Sequence, residues 1–507
     1  MNCKLHIHLA ARLVMLLILI FLFQEIAAGT SSQTYDYSHR KRDCEVRLVS
    51  NNGVPLAGAL IGITLLSNDF VFGGAISGGA FDSLGYEYEE RFLSYFDCGT
   101  PENEMKWENV MKCSEMCDPD FSKADSLVNW MLKNNISICG NNLFSNEKEE
   151  WIPEWTRNLG STPFRQAMQD RIYTTTDHFK GKIDQWNLIS EICHGENGSY
   201  LTSGILQTKS GDPDIFNWIL DEARKKDNEA KFIINDCGLI TSSEQTTADQ
   251  FVSMVKPLKN KFDIIGAQSH FNEYMDRSSY EPKINYLAEQ TEKTVWLTDI
   301  EFDVDTSQAA DKIEELMRSC FANPKVGGLI MGSWLKDHQA PGNLTSYFVN
   351  SMNNETPVGQ RWREVRSEWK TEIGGYTDDS GKISFTGFQG KYLVLVSCYL
   401  DTFYLEPGEG TKTVEVVYYP VNTVDRKSTK TAEFFINGKS AIVKLPAGFN
   451  RQLFLTTYSL SGKQLSRSPV NITGGNLRVP PTSSCRVFRI ETADGQPLYA
   501  GKLMTVR

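Results

Sequence analysis

The chain has 507 residues and a net charge of −11, and its 40% hydrophobic and 23% charged residues are typical of a folded globular protein. The length predicts two or three domains. The acidic balance argues against binding to nucleic acid or to anionic membranes, and it is compatible with a neutral or weakly charged partner.

The first 29 residues have the pattern of a secretory signal peptide. Lys4 and Arg12 give a basic start, and the apolar run at 13–23 is too short to span a bilayer comfortably. We therefore expect a secreted, extracellular protein with no membrane span once the signal is removed; a short membrane anchor is the alternative. Residues 30–43 are polar and partly basic, and we interpret them as a linker rather than a processing site.

Ten cysteines follow the signal segment, and an even number in an exported chain predicts several disulfides. Cys113 and Cys117 are close enough for a small-loop bridge, whereas buried free thiols are the alternative for others. Secretion is also consistent with five Asn-x-Ser/Thr sequons, which begin at Asn135, Asn197, Asn343, Asn354 and Asn471. Asn135 precedes a predicted buried strand, so we expect it to be the least readily modified.

Short strands are predicted over residues 44–75 as a β-rich lead-in. From 76 to 370, helical stretches alternate with apolar runs, such as 183–189, that are typical of strands buried on both faces. This alternation predicts an α/β fold, and its length suits a closed (β/α)8 TIM barrel. From 371 to 507, strand-like runs and turn sequences predict an all-β, sandwich-like appendage.

Polar clusters follow predicted strands at four places, which is where a TIM barrel builds its active site. Two of them place a carboxylate, Glu191 or Asp299, at the end of a strand. Cleavage of a glycosidic bond with retention of configuration needs two carboxyl groups, an acid for the leaving oxygen and a nucleophile for the anomeric carbon. Taken alone, such a pair is a weak signal.

In their order along the chain, the clusters resemble glycoside hydrolase family 10, the family of endo-1,4-beta-xylanases. Pro-Glu-Asn-Glu-Met-Lys-Trp at 101–107 matches the family motif without change, and residues 72–76 resemble its first barrel segment. Residues 181–195 resemble the acid/base segment, and Asn235, Asp236, Gln268 and His270 also correspond. The resemblance covers about 44–392. It implies a xylan-type polysaccharide as partner and requires no cofactor.

The resemblance implies roles for individual residues. Glu191 takes the acid/base position and Asp299 the nucleophile position. The residues expected to bind substrate or to orient the nucleophile are Glu102, Asn103, Lys106, Asn141, Trp186, Ser190, Gln268, His270 and Trp334.

The departures from the family pattern cluster around one sugar subsite. Asp299 replaces a Glu, and a nucleophile displaced by about 1 Å costs roughly a hundredfold in rate. Glu301 points to the same side, but it lies about 6.6 Å further along a regular strand and would serve only in a shifted frame. Three further replacements are Ser190 for Asn, Asn141 for His and Gly332 for Trp.

Three hypotheses remain. The first is a retaining β-glycoside hydrolase with altered specificity. The second is a secreted glycan-binding or matrix protein that has lost turnover, and the third is a purely structural extracellular glycoprotein. We expect no metal centre, since the sequence has neither a His-x-x-x-His motif nor paired Cys-x-x-Cys spacing.

Overall fold

The computed structural model describes residues 35–418, apart from 114, 116, 194–199, 201–202, 337–343, 351–353 and 397–398, and beyond residue 418 it describes the backbone of seven strands. The predicted signal peptide lies outside the described residues. Strand β1 (Lys41–Ser50) and strand β2 (Leu60–Asn68) come first. Because β1 begins at Lys41, the linker predicted over 30–43 is too long, and its last residues belong to a sheet.

Eight parallel strands close into a barrel, with the last strand pairing with both the first and the seventh. The strands are β3 (Val71–Ile76), β4 (Cys98–Pro101), β5 (Ser137–Ser145), β6 (Gln185–Ser190), β7 (Lys231–Asp236), β8 (Ile264–Asn272), β9 (Thr294–Asp303) and β10 (Val326–Met331). The predicted TIM barrel is confirmed. Its first strand begins at Val71, so the boundary predicted at residue 76 falls at the end of that strand.

The helices between and after the barrel strands are α1 (Gly78–Leu84), α2 (Tyr86–Tyr95), α3 (Trp107–Val110), α4 (Ser122–Lys133), α5 (Ser161–Phe179), α6 (Ile205–Ser210), α7 (Ile215–Lys226), α8 (Gln245–Val255), α9 (Arg277–Thr291), α10 (Thr306–Ala322) and α11 (Pro357–Glu368). Side-chain caps fix several starts. The Asp276 carboxylate accepts from Ser279 N before α9, and Thr356 caps α11, which begins with a proline.

Side chains alternate between the inside and the outside of the barrel, as β6 shows. Gln185 Nε2 reaches Cys98 Sγ of β4, two strands away, and therefore points inward. The next residue, Trp186, points outward, with its ring 6.1 Å from that of Phe179 on α5. The inner cluster of apolar side chains comes from six strands and comprises Cys98, Cys139, Ile233, Ile264, Trp296 and Ile330.

Strands from before and after the barrel form two further sheets. Strand β1 lies between β12 (Lys382–Phe388) and β15 (Lys412–Tyr418), and β2 lies between β11 (Glu372–Tyr376) and β13 (Gly390–Val396), with β14 (Tyr399–Leu405) beyond β13. Phe385 of β12 and Tyr392 of β13 bring their rings within 5.6 Å across the sheets. The predicted lead-in and the start of the predicted appendage are therefore parts of one sandwich.

The backbone beyond residue 418 is β-rich, as predicted. Antiparallel pairing gives a three-stranded sheet and a four-stranded sheet. Their strands are β16 (Glu433–Asn437), β17 (Ser440–Lys444), β18 (Leu453–Tyr458), β19 (Gln464–Val470), β20 (Asn476–Val479), β21 (Arg486–Thr492) and β22 (Pro497–Leu503).

The predicted Cys113–Cys117 disulfide is present. Six other described cysteines are free thiols and five of these are buried, as the alternative interpretation allowed: Cys44, Cys98, Cys139, Cys193, Cys237 and Cys320. Asn135 does precede a buried strand, β5, but is itself exposed, so burial of its own side chain does not prevent modification. Asn354 is exposed as well, and the other three sequons begin outside the described residues. None of the helices in the described residues combines the length and the apolar character needed to cross a membrane.

Candidate active site

The polar clusters predicted from the sequence come together where the barrel strands end. Glu102 follows β4, Glu191 follows β6, and Asp236 ends β7. The final residues of β8 and β9 carry further polar side chains. Because the strands are parallel, these ends meet at one rim of the barrel. Two groups result, one around Glu191 and one around Glu301.

Glu191 lies in a buried acidic pocket. Its Oε1 accepts a hydrogen bond from Gln268 Nε2 at 2.5 Å, and its Oε2 is buried with no hydrogen-bond partner among the described residues. An oxygen of Asp236, the Cys237 sulfur and an oxygen of Glu191 all lie within 4.8 Å of one another. Glu191 has a φ of 52°, which is uncommon outside glycine.

Burial and the nearby charge of Asp236 raise the pKa of Glu191 well above that of an ordinary glutamate. Asp236 is itself fully buried and is met by three donors, Cys193 N, Cys193 Sγ and Cys237 N, each at 2.9 Å. The raised pKa of Glu191 places a proton on that residue at neutral pH. A carboxyl group that stays protonated at neutral pH is what a general acid requires.

The same three groups could hold a metal ion, although the sequence predicted no metal site. Glu191, Asp236 and Cys237 offer two carboxylate oxygens and one sulfur. Because three donors already engage Asp236, we interpret the group as an acidic pair in which one carboxyl keeps its proton.

Strand β9 carries one extra residue at 299–300. Gln268 of β8 pairs with Thr298 of β9, and His270 pairs with Glu301. The step is two residues along β8 but three residues along β9. Such a bulge shifts the frame of the strand. The bulge therefore brings Glu301 opposite His270. The distance expected for Glu301 along a regular strand no longer applies.

Glu301 is held by two side chains. His270 Nδ1 lies 3.0 Å from its Oε2, and Ser333 Oγ donates to its Oε1 at 2.6 Å. The Glu301 side chain is 14% exposed. The hydrogen bond to Glu301 raises the pKa of His270, which favours an imidazolium beside the carboxylate. The two contacts hold both oxygens of Glu301 in place, as a positioned carboxylate nucleophile requires.

Asp299, the nucleophile predicted from the sequence, is less well held. It lies in the bulge with a φ of 45°, and its side chain is half-buried. Within the described part of the chain, no donor forms a hydrogen bond with its carboxylate. Burial raises the pKa of Asp299, and the charges of His270 and Lys106 oppose that rise. Burial and neighbouring carboxylates, including Asp299, also raise the pKa of Glu102 to about 7.

Asn103 and Lys106 lie side by side on the segment that follows β4. Lys106 Nζ donates to Asn103 Oδ1 at 3.1 Å. Glu104 fixes the segment, since its Oε1 accepts from Gly78 N of α1 at 2.9 Å. The segment thus presents a cation and an amide at the rim, which suits binding of sugar hydroxyls.

Asn141 and Ser190 are joined by Asn187. The Asn187 amide donates to Asn141 Oδ1 and to Ser190 Oγ, both at 2.9 Å. Ser190 is 6% exposed, whereas Asn141 is half-buried. Asn141 is therefore the better placed of the two to reach a ligand.

Trp186 and Trp334 were predicted to bind substrate, and the structure places both elsewhere. Trp186 is 1% exposed and packs between Gly140 and the helix layer. Trp334 is fully buried, and its Nε1 donates to Ala75 O at 2.8 Å. Its ring lies 5.1 Å from that of Tyr88 on α2. Both predictions are wrong, because each ring points away from the rim and into the packing outside the barrel.

Five functional candidates were missed or undervalued in the sequence: Glu147, Trp151, Asp236, Glu301 and Ser333. Asp236 was noted only as part of a resemblance, and its position directly after an apolar run was the available signal. Glu147 and Trp151 follow β5, in a segment with no motif of its own. Ser333 acts through Glu301, a contact that depends on the bulge. His194 of the acid/base segment lies outside the described residues.

The family model described as "Glycosyl hydrolase family 10" matches residues 63–358, more than half of the chain. The chain belongs to glycosyl hydrolase family 10. The matched segment contains the whole barrel and every candidate residue of this family 10 site.

Curated relatives include the anti-sigma-I factor RsgI6 of Acetivibrio thermocellus, 30% identical over 73% of this chain and 48% of that protein. Endo-1,4-beta-xylanase 1 of Arabidopsis thaliana is 24% identical over 74% of this chain and 39% of that protein. The family 10 chain thus spans less than half the length of either relative.

Solved structures give the same fold. Xylanase 10B from Thermotoga petrophila RKU-1, in complex with xylobiose, has a TM-score of 0.52 at 20% identity and covers 59% of this chain and 94% of its own. Native xylanase 10B from Thermotoga maritima has a TM-score of 0.51 at 21% identity, with 59% and 95% covered.

Proposed function

We propose that the protein is a secreted retaining glycoside hydrolase that cleaves a β-linked polysaccharide of xylan type, with Glu191 as acid/base and Glu301 as nucleophile. The contrast between the two carboxyl groups carries the proposal. Burial and Asp236 raise the pKa of Glu191, whereas the two oxygens of Glu301 are held by His270 and Ser333. Retaining hydrolysis needs one carboxyl group of each kind.

In the first step, Glu191 gives its proton to the glycosidic oxygen as that oxygen leaves, and a carboxylate oxygen of Glu301 bonds to the anomeric carbon. In the second step, the deprotonated Glu191 takes a proton from water, the water oxygen attacks the same carbon, and Glu301 is released. His270 and Ser333 hold the Glu301 oxygens throughout. The sugar chain is held by Asn103 and Lys106, with Glu102 and Asn141 beside them.

The substrate class and the location rest on weaker support. Relatives named endo-1,4-beta-xylanase and a solved neighbour in complex with xylobiose suggest xylan. The leader pattern and the exposed sequons at Asn135 and Asn354 support secretion. The Asp299 carboxylate and the glycine at 332 distinguish the cleavage subsite from the family pattern, so the reaction is expected to be slow on unsubstituted xylan.

The test is incubation of the full chain with xylan and with mixed-linkage β-glucan, with reducing ends counted against a Glu191→Gln control. Product above the control is expected, and its first-formed anomer, followed by proton NMR, should be β. Equality with the control on both polymers would contradict hydrolysis, and a first-formed α anomer would contradict retention.

A further inference from the structure

Trp151 lies beside the polar residues that are expected to hold the sugar chain. It ends a short 3-10 turn, Glu149–Trp151, between β5 and α5. Lys106 Nζ lies 5.2 Å from the centroid of its ring, and Lys106 is in turn bonded to Asn103. The indole Nε1 donates to Glu147 Oε2 at 3.2 Å. The ring thus lies between Lys106 and Glu147.

Glu147 accepts the Trp151 hydrogen bond, and its charge also acts on the acid/base Glu191. Its side chain is 10% exposed and its Oε1 lies 3.3 Å from Lys148 Nζ. After burial and Asp236, which have larger effects, the charge of Glu147 also raises the pKa of Glu191. Trp151 therefore contacts Lys106 with its ring and Glu147 with its indole N–H.

Neighbouring residues anchor the turn that carries Trp151. Glu149 Oε1 forms an ion pair with Lys209 Nζ at 2.9 Å, and Ile152, directly after the ring, is fully buried. Arg157 Nη2 donates to the Ile152 carbonyl at 3.3 Å. A ring held in this way loses little conformational freedom when a ligand packs against it.

The chemistry of this place fits a sugar ring. A pyranose has an apolar face of C–H groups and a rim of hydroxyls, so its site combines an aromatic surface with a few polar groups. Lys106 and Asn103 provide the polar groups, and the half-buried Trp151 provides the surface. Trp186 and Trp334 do not compete for this role, because both are buried outside the barrel.

We propose that Trp151 is a sugar-stacking residue that forms, with Asn103 and Lys106, a binding subsite for a neutral pyranose of the β-linked chain. This inference rests on the proposed function for the class of ligand, but it does not require cleavage. Trp151 gives this chain an aromatic surface from a different loop, in a site where Gly332 stands in place of a family tryptophan.

The test measures binding separately from turnover. Xylohexaose and cellohexaose are titrated by calorimetry into the full chain carrying Glu191→Gln, so that the sugars stay intact. Trp151→Ala should weaken binding of the preferred hexasaccharide at least about tenfold. Trp218→Ala is the matched control, since Trp218 is also half-buried and also has a cation over its ring, Arg165 at 4.5 Å, but lies on α7.

A second variant guards against misfolding. Trp151→Phe should bind with intermediate affinity, and it should lose most of the ligand-induced change in tryptophan fluorescence, whereas Trp218→Phe should keep that change. The inference would be overturned if Trp151→Ala bound the sugars as tightly as the Glu191→Gln chain that lacks this second substitution. It would also be overturned if the Glu191→Gln chain bound neither hexasaccharide. Binding by a wild-type chain that forms no product would leave this subsite standing and remove only the hydrolase proposal.

Discussion

The two carboxyl groups at the rim of the barrel differ in what surrounds them. Glu191 has a carboxylate neighbour, Asp236, and a buried oxygen without a partner among the described residues. Glu301 has a histidine on one oxygen and a hydroxyl on the other. Both side chains lie at the same rim of one barrel, so their local partners, rather than the fold, make the two groups chemically different.

Strand β8 serves both groups. Gln268 donates to Glu191, and His270, two residues further along, contacts Glu301. Because residues two apart on a strand point the same way, one strand can hold the acid and the nucleophile together. The bulge in β9 is what aligns Glu301 with His270, so the assignment of the nucleophile depends on this irregularity.

The largest expected effect separates Glu301 from Asp299. Glu301→Gln should lower kcat on an aryl β-xyloside by about 10⁴-fold or more, as loss of a nucleophile does in other hydrolases. Asp299→Asn should lower kcat much less, by about tenfold at most. Asp299 lies beside the reacting group, but its carboxylate is held by no hydrogen-bond donor in the described chain and does not attack the sugar in the proposed mechanism. The reverse order of the two losses would return the nucleophile role to Asp299.

Glu191 should show a loss that depends on the leaving group. Glu191→Gln should lower kcat/KM on xylohexaose by about 10²–10⁴-fold, because the alkoxide then leaves without a proton. On a dinitrophenyl glycoside, whose leaving group needs no proton, bond cleavage should be nearly unaffected in a pre-steady-state burst. A similar loss on both substrates would mean that Glu191 is not the acid.

The barrel fold was predictable because the same sequence pattern, a strand followed by a helix, repeats along the chain. Each buried strand is a short apolar run, and the alternation with helices determines the sheet type. The pairing of β1 with β12 and β15 was not predictable, since those strands are more than 300 residues apart along the chain and neither contains a pairing signal. Sequence reasoning alone therefore separates the lead-in at 44–75 from the β-rich region at 371–507.

The site was predictable where a residue type and a strand end coincide, as at Glu191, Gln268 and His270. It was not predictable where the outcome depended on backbone register. An extra residue in β9 changes which acid faces His270, and a sequence shows only that two acids are present. Trp186 and Trp334 failed for a related reason, because aromatic residues near strand ends pack outward as readily as they line a cleft.

The smallest expected effect is a shift in pH dependence at Asp236. The acid must be protonated to act, so activity is lost as pH rises through the pKa of Glu191. Burial and the Asp236 charge raise that pKa, and Asp236→Asn removes the charge. Cys193 N and Cys237 N donate to different oxygens of Asp236, so the single amide oxygen of the variant can accept only one of these two bonds. The variant should therefore lose activity at a lower pH than the wild type.

The measurement is the alkaline limb of kcat/KM on an aryl β-xyloside, compared with Asp303→Asn, which removes an exposed carboxylate at the end of β9. The Asp303 variant should match the wild type, whereas the Asp236 limb should move toward acid pH. An unmoved limb in a folded Asp236→Asn protein would mean that Asp236 does not control the proton on Glu191. Another cause would then have to keep the proton on Glu191. Burial of its Oε2 atom is the first candidate.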